Sequence, residues 1–145
     1  RANNVTSKLN EPDGPFVTCC YAVLDVRKHT LQWAQAGHFS PLVVHADGTS
    51  TYLTERTGPP LALAGARDYE SSTTKLHLGD SVMMFTDGLV ERRREHLDVG
   101  LARLALLAKD HFTLQPKEFV EALAASVTER FDDLALLCVE LAAGD

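Results

Sequence analysis

The apolar residues of this chain pass from a strand-like to a helix-like period at a single dipeptide, Asp87-Gly88. From Phe16 to Thr86 they come in short runs rich in β-branched and aromatic residues, which is how strands read. Beyond Asp87, the residues Leu97, Leu101, Leu104, Ala105 and Ala108 recur at three-to-four spacing, as do Phe119, Leu123 and Val127 behind Pro116. Two amphipathic helices are expected there, the second opening on a first-turn proline. Strands first and helices late is the pattern of an α+β domain whose helices cover antiparallel sheet.

The strand half divides into pairs. FVTCCYAVLD (Phe16 to Asp25) and LQWAQA (Leu31 to Ala36) read as a hairpin across VRKHT. LVVHA and TSTYL flank Asp47-Gly48, a dipeptide suited to a two-residue hairpin turn. ERTGPPLALAGARD is a Gly/Pro-rich loop, after which YESSTTKLHL and SVMMFT read as a third hairpin around Gly79-Asp80. Near the end, LALLCVEL (Leu134 to Leu141) is a nearly continuous apolar run, expected to be a strand buried on both faces. About seven strands result.

Composition narrows the function classes. At 145 residues and 45% hydrophobic the chain suits one domain with a sizeable core. Its formal charge of −6, with no basic face beyond Arg92, Arg93 and Arg94, argues against nucleic acid as a partner. No run approaches the roughly 18 apolar residues of a membrane-spanning helix, and RANNVTSKLNEPDG has no leader pattern, so a cytoplasmic protein without membrane insertion is expected. Cys19, Cys20 and Cys138 lack metal-ligand spacing and read as reduced core thiols. The chain opens on Arg1 and its methionines are Met83 and Met84, so the expectation is a piece of something longer.

Two acidic sites carry the chemistry. Asp-Gly is common turn punctuation, but a helix rather than a returning strand follows Asp87, and a carboxylate at a strand end is rigidly aimed. Asp132-Asp133 precedes the last strand, where adjacent like charges repel unless water or a cation screens them; a solvated turn and a cation site both satisfy that. Oxygen ligands from separate strand ends are what Mg²⁺ or Mn²⁺ require, and the His and Cys residues offer no competing zinc pattern.

Three blocks, LQWAQAGHFSPLVV, LHLGDSVMMFTDGLVERR and FDDLALLCVEL, together resemble the C-terminal part of the bacterial PP2C-type (PPM) serine phosphatases of the SpoIIE/RsbU group. The resemblance spans nearly the whole chain. It implies a sandwich of two antiparallel β-sheets flanked by α-helices, with a binuclear Mn²⁺ or Mg²⁺ centre that hydrolyses phosphoserine or phosphothreonine on proteins. By motif, Asp87 and Asp132 resemble metal ligands and thereby catalytic residues, with Gly88 and Asp133 as auxiliaries. His38, in the Gly37-His38 block, either assists proton transfer or packs. Arg92 and Arg93 either meet phosphate or a partner surface, or belong to a solvated helix entry beside Glu91, Arg94 and Glu95.

The sequence departs from the family at its first half. The family's Gly-Asp-x-x-Gly-His-Gly motif is missing: Gly79-Asp80 is followed by Ser-Val, and Gly144-Asp145 ends the sequence. Residues 1–145 therefore read as a partial phosphatase domain lacking its N-terminal strands, feeble or inactive alone, with sheet edges open to homo-oligomerisation. The partner implied by the family is a phosphorylated anti-sigma-factor antagonist. The alternative is a catalytically inactive PP2C-like binding module that holds a regulatory protein.

Overall fold

A computed structural model of the chain describes residues 16–61, 68–128 and 132–143. Residues 1–15, the centre of the Gly/Pro-rich loop at 62–67, residues 129–131 and Gly144-Asp145 lie outside the described residues. In chain order the elements are β1 (Cys19–Asp25), β2 (Thr30–Ala36), β3 (Leu42–Val44), β4 (Ser50–Tyr52), β5 (Thr57–Gly58), β6 (Ser72–Lys75), β7 (Ser81–Phe85), a 3₁₀ turn at Asp87–Leu89, α1 (Leu97–His111), α2 (Pro116–Ala125) and β8 (Leu136–Glu140). The chain divides into two units, Arg1–Ser40 with Thr54–Lys75 and Pro41–Leu53 with Leu76–Asp145.

The first unit carries one sheet built on β2. The expected β1–β2 hairpin is present, antiparallel from Cys19↔Ala36 to Asp25↔Thr30. At its turn, Asp25 Oδ1 accepts from the amides of Arg27 and Lys28 at 3.1 and 3.0 Å. On its other side β2 pairs antiparallel with β6, and its end pairs with the two-residue β5 in parallel. Leu31, Trp33 and Gln35, two apart and therefore on one face, are each 2% exposed. Burial pushes the Cys20 thiol up to about 11, with the neighbouring Cys19 adding to the shift, so Cys20 stays protonated at neutral pH.

The second unit carries a sheet of order β4-β3-β7-β8 with α1 and α2 packed on it. The β3–β4 hairpin forms as expected, but its loop has three residues. Gly48 donates to His45 O at 2.9 Å and takes φ +81, while Asp47 keeps a negative φ. This is a type I turn followed by a left-handed glycine, which needs positive φ at one position instead of two.

The third hairpin does not form. β6 joins β2 in the first sheet, whereas β7 pairs with β3 and β8 in the second. Gly79, at φ +86, and Asp80 do turn the chain, but they bind Leu141: Gly79 N donates to Leu141 O and Leu141 N to Asp80 O. Asp80 is 2% exposed, and its carboxylate accepts from Ala46 N at 3.3 Å and His77 N at 2.9 Å, with the His45 and His77 rings 3.4 and 3.6 Å away. Turn chemistry was therefore legible at Gly79-Asp80, but the identity of the paired strands was not.

The doubly buried strand also moves. Leu42, Val43 and Val44 of β3 are 0–3% exposed, because β3 lies between β4 and β7. β8 is at the sheet edge and alternates, with Leu137 and Val139 55% and 40% exposed, so the expectation that it is buried on both faces is wrong. α1 buries Gly100, Leu104 and Ala108, close to the expected stripe, and its N-cap His96 accepts from Asp98 N through Nδ1 at 3.4 Å; Leu97 is 37% exposed. Pro116 opens α2 as expected, and α2 ends at Ala125, two residues short of Val127. Among the described residues no helix is long and apolar enough to cross a membrane.

Candidate functional site

The site is built where β7 ends. Thr86 is still extended, at φ −93 and ψ 167, and Asp87 then starts the 3₁₀ turn, whose carbonyl accepts from Val90 N at 2.9 Å and Glu91 N at 2.8 Å. Asp87 Oδ1 accepts from Gly88 N at 2.8 Å, which fixes the carboxylate against its own turn.

A seam of contacts joins this turn to the segment that enters β8. Thr86 Oγ1 donates to Asp133 O at 2.8 Å and accepts from Ala135 N at 2.9 Å, while Thr86 N donates to Ala135 O at 3.1 Å. Gly88 lies so near that a Cβ there would sit 2.7 Å from Asp133 O and 3.0 Å from Asp132 O. Only glycine leaves room for that approach. The structure thus sets the Asp87-Gly88 turn against the backbone of Asp132 and Asp133. Asp132 and Asp133 are exposed, and Asp132 Oδ1 accepts from Asp133 N at 2.7 Å.

Thr86 is the residue that sequence reasoning passed over, although it precedes the Asp-Gly pair directly. Replacing it with valine keeps the shape and removes both side-chain bonds of the seam. Thr86→Val is expected to destabilise the fold by about 1 kcal/mol. An unchanged urea midpoint would show that the hydroxyl holds nothing.

The far side of the turn rests on α1. A Cβ on Gly100 would meet Val90 O at 2.1 Å, so the helix backbone packs directly on the turn. Arg103 Nη2 donates to that same carbonyl at 3.0 Å, and Nη1 donates to Glu95 Oε1 and Oε2 at 2.8 and 2.6 Å. Both side chains of this pair are about a quarter exposed, at 22% and 24%. Glu95 and Arg103 are eight apart with no helix spanning them, so no periodic signal reveals the pair. Gly100, an isolated glycine in a helical pattern, was the available signal.

Arg92, Arg93 and Arg94 are exposed, and they lie in a turn ahead of α1 and not on the helix itself. His38 belongs to the other unit, where Nδ1 lies 3.0 Å from Thr18 Oγ1 and the ring meets Phe39 edge-on at 6.0 Å.

The donor set at the seam is all oxygen, which suits a hard divalent cation in kind. Among the described residues no group of three or more His, Cys, Asp or Glu side chains is gathered to hold a metal.

Residues 1–142 match the family model described as Stage II sporulation protein E (SpoIIE). The chain belongs to that family. Phosphoserine phosphatase RsbU of Bacillus subtilis (strain 168) is 27% identical over 117 residues, covering 81% of this chain and 35% of the relative. The RsbU and RsbW domains of a Mycobacterium tuberculosis protein superpose with TM-score 0.78 at 26% identity, over 95% of this chain and 40% of that one. The phosphatase domain of the cell fate determinant SpoIIE from Bacillus subtilis, presoaked with Mn, gives TM-score 0.68 at 18% identity, over 98% of this chain and 63% of that domain. The SpoIIE-family chain therefore has a partial α+β PP2C fold, and it spans about a third of the RsbU sequence it matches.

Proposed function

We propose that this chain is the C-terminal part of a SpoIIE-type phosphatase domain that hydrolyses phosphoserine or phosphothreonine on a regulatory protein of the anti-sigma-factor-antagonist kind. One observation carries the reading: Thr86 and Gly88 lock the Asp87 turn against the backbone of Asp132-Asp133, so that two acidic segments meet at one seam. RsbU, a phosphoserine phosphatase, supports the reaction class, and the Mn-presoaked SpoIIE domain supports a divalent cation.

Asp87 and Asp132 would hold Mn²⁺ or Mg²⁺, jointly with carboxylates from elsewhere in the complete domain. When bound, such ions supply a water of lowered pKa and polarise the phosphoryl oxygens. The residues of this chain hold the frame. The Gly88 amide aims the Asp87 carboxylate, the Thr86 hydroxyl keeps the Asp132 segment in register, and Gly100 seats the turn on α1. The edge strand β8, with Leu137 and Val139 exposed, offers a surface for a second copy or a partner.

The test is phosphate release from a phosphoserine peptide by the full-length protein, with Mn²⁺ and then with EDTA. Release that requires the ion is expected. Equal release in EDTA would remove the metal role, and no release with either Mn²⁺ or Mg²⁺ would leave the protein a binding module.

A further inference from the structure

We infer that the turn Arg92–Glu95 docks the acidic residues flanking the substrate's phosphoserine, so that this phosphatase selects acidic phosphoserine segments. The inference rests on the phosphatase reading above and adds a substrate class to it.

Three observations converge. First, Glu95 N donates to Arg92 O at 3.2 Å, closing a four-residue turn in which Arg94 takes φ +63. That third position of a type II turn ordinarily takes glycine or asparagine. An arginine held there is a backbone outlier, and such outliers persist where the surroundings over-determine them and function uses them.

Second, the surroundings do over-determine it. A single guanidinium, that of Arg103, binds Val90 O before the turn and the Glu95 carboxylate after it. Glu91 N is also tied to Asp87 O at 2.8 Å. The loop backbone is therefore pinned at both ends to the turn that carries Asp87 and does not need to be ordered on binding.

Third, the charge is local. The chain as a whole is −6, yet Arg92, Arg93 and Arg94 are all exposed here. Glu95, the acidic residue of the turn, is engaged by Arg103, and the exposed Glu91 and Asp98 flank it. A rigid cationic loop beside a phosphate-cleaving site fits carboxylates and phosphate through charge-assisted hydrogen bonds. It also steers acidic ligands in a salt-dependent manner.

The experiment uses the full-length protein with Mn²⁺ and two synthetic phosphoserine peptides of equal length, flanked by Asp and Glu or by Gln. Hydrolysis and peptide binding, by fluorescence anisotropy, are read in parallel. The wild type is expected to prefer the acidic peptide by about tenfold, less at high salt. The double substitution Arg92→Gln with Arg94→Gln should bring the two peptides within about twofold, and Arg92→Lys with Arg94→Lys should retain most of the preference. A wild type that hydrolyses both peptides equally overturns the inference and leaves the phosphatase reading standing. So does a glutamine variant that keeps the full preference. If the wild type hydrolyses neither peptide, both readings fall.

Discussion

Replacing Asp87 with asparagine in the full-length protein is expected to lower Mn²⁺-dependent phosphate release on the order of 1,000-fold, equivalent to about 4 kcal/mol of barrier. The fold should survive the change. Asp87 Oδ1 accepts from the Gly88 amide at 2.8 Å, and an asparagine carbonyl oxygen can accept the same bond. What the amide lacks is the negative charge that helps hold a divalent ion and lower the pKa of its water. A turn aspartate without that role would tolerate asparagine with little effect on activity or stability. Phosphate release is measured beside thermal unfolding. Activity near the wild-type level would sink the assignment of Asp87, whereas the expected result is a large loss of release with the unfolding midpoint within about 2 °C.

Gly100→Ala is the stability counterpart, and its sign is diagnostic. In an exposed helix interior, alanine is more favourable than glycine by about 1 kcal/mol. Here the added Cβ would sit 2.1 Å from Val90 O, a backbone atom that also accepts from Arg103. The helix must move off the turn, at a cost of about 3 kcal/mol. For a domain of this size that lowers the unfolding midpoint by roughly 10 °C. Ala102→Gly, on the exposed side of the same helix, is the control and should cost about 1 kcal/mol. A midpoint raised by Gly100→Ala would show that the helix does not rest on the Asp87 turn.

The residues that read correctly in one dimension did so for local reasons. Asp87-Gly88 marked the end of the strand half because a period of two gives way there to a period of 3.6, and α1 and α2 followed from that change. Pro116 marked the start of α2, and the β1–β2 and β3–β4 hairpins followed from short loops between β-rich runs. The three motif blocks led to the SpoIIE family because their order and spacing are properties of the chain alone.

What failed depended on neighbours. SVMMF was assigned to STTK across Gly79-Asp80 because proximity in sequence was the only guide to pairing. In the fold, β7 instead finds β3 and β8, and buried Asp80 accepts from the His77 amide of its own turn and the Ala46 amide of the β3–β4 turn. LLCVE and LVV are both apolar runs, and only their places in the sheet, edge and centre, decide that Leu137 is exposed while Val43 is buried. The acidic residues proposed for the site came from sequence, since a carboxylate's chemistry travels with the residue. The devices that hold them, the Thr86 hydroxyl on Asp133 and Ala135, the bare Cα of Gly88, and Arg103 spanning Val90 and Glu95, are relations between distant segments. Local periodicity and motif order are encoded in contiguous residues, whereas close approach and hydrogen-bond partnership exist only once the chain has folded back on itself.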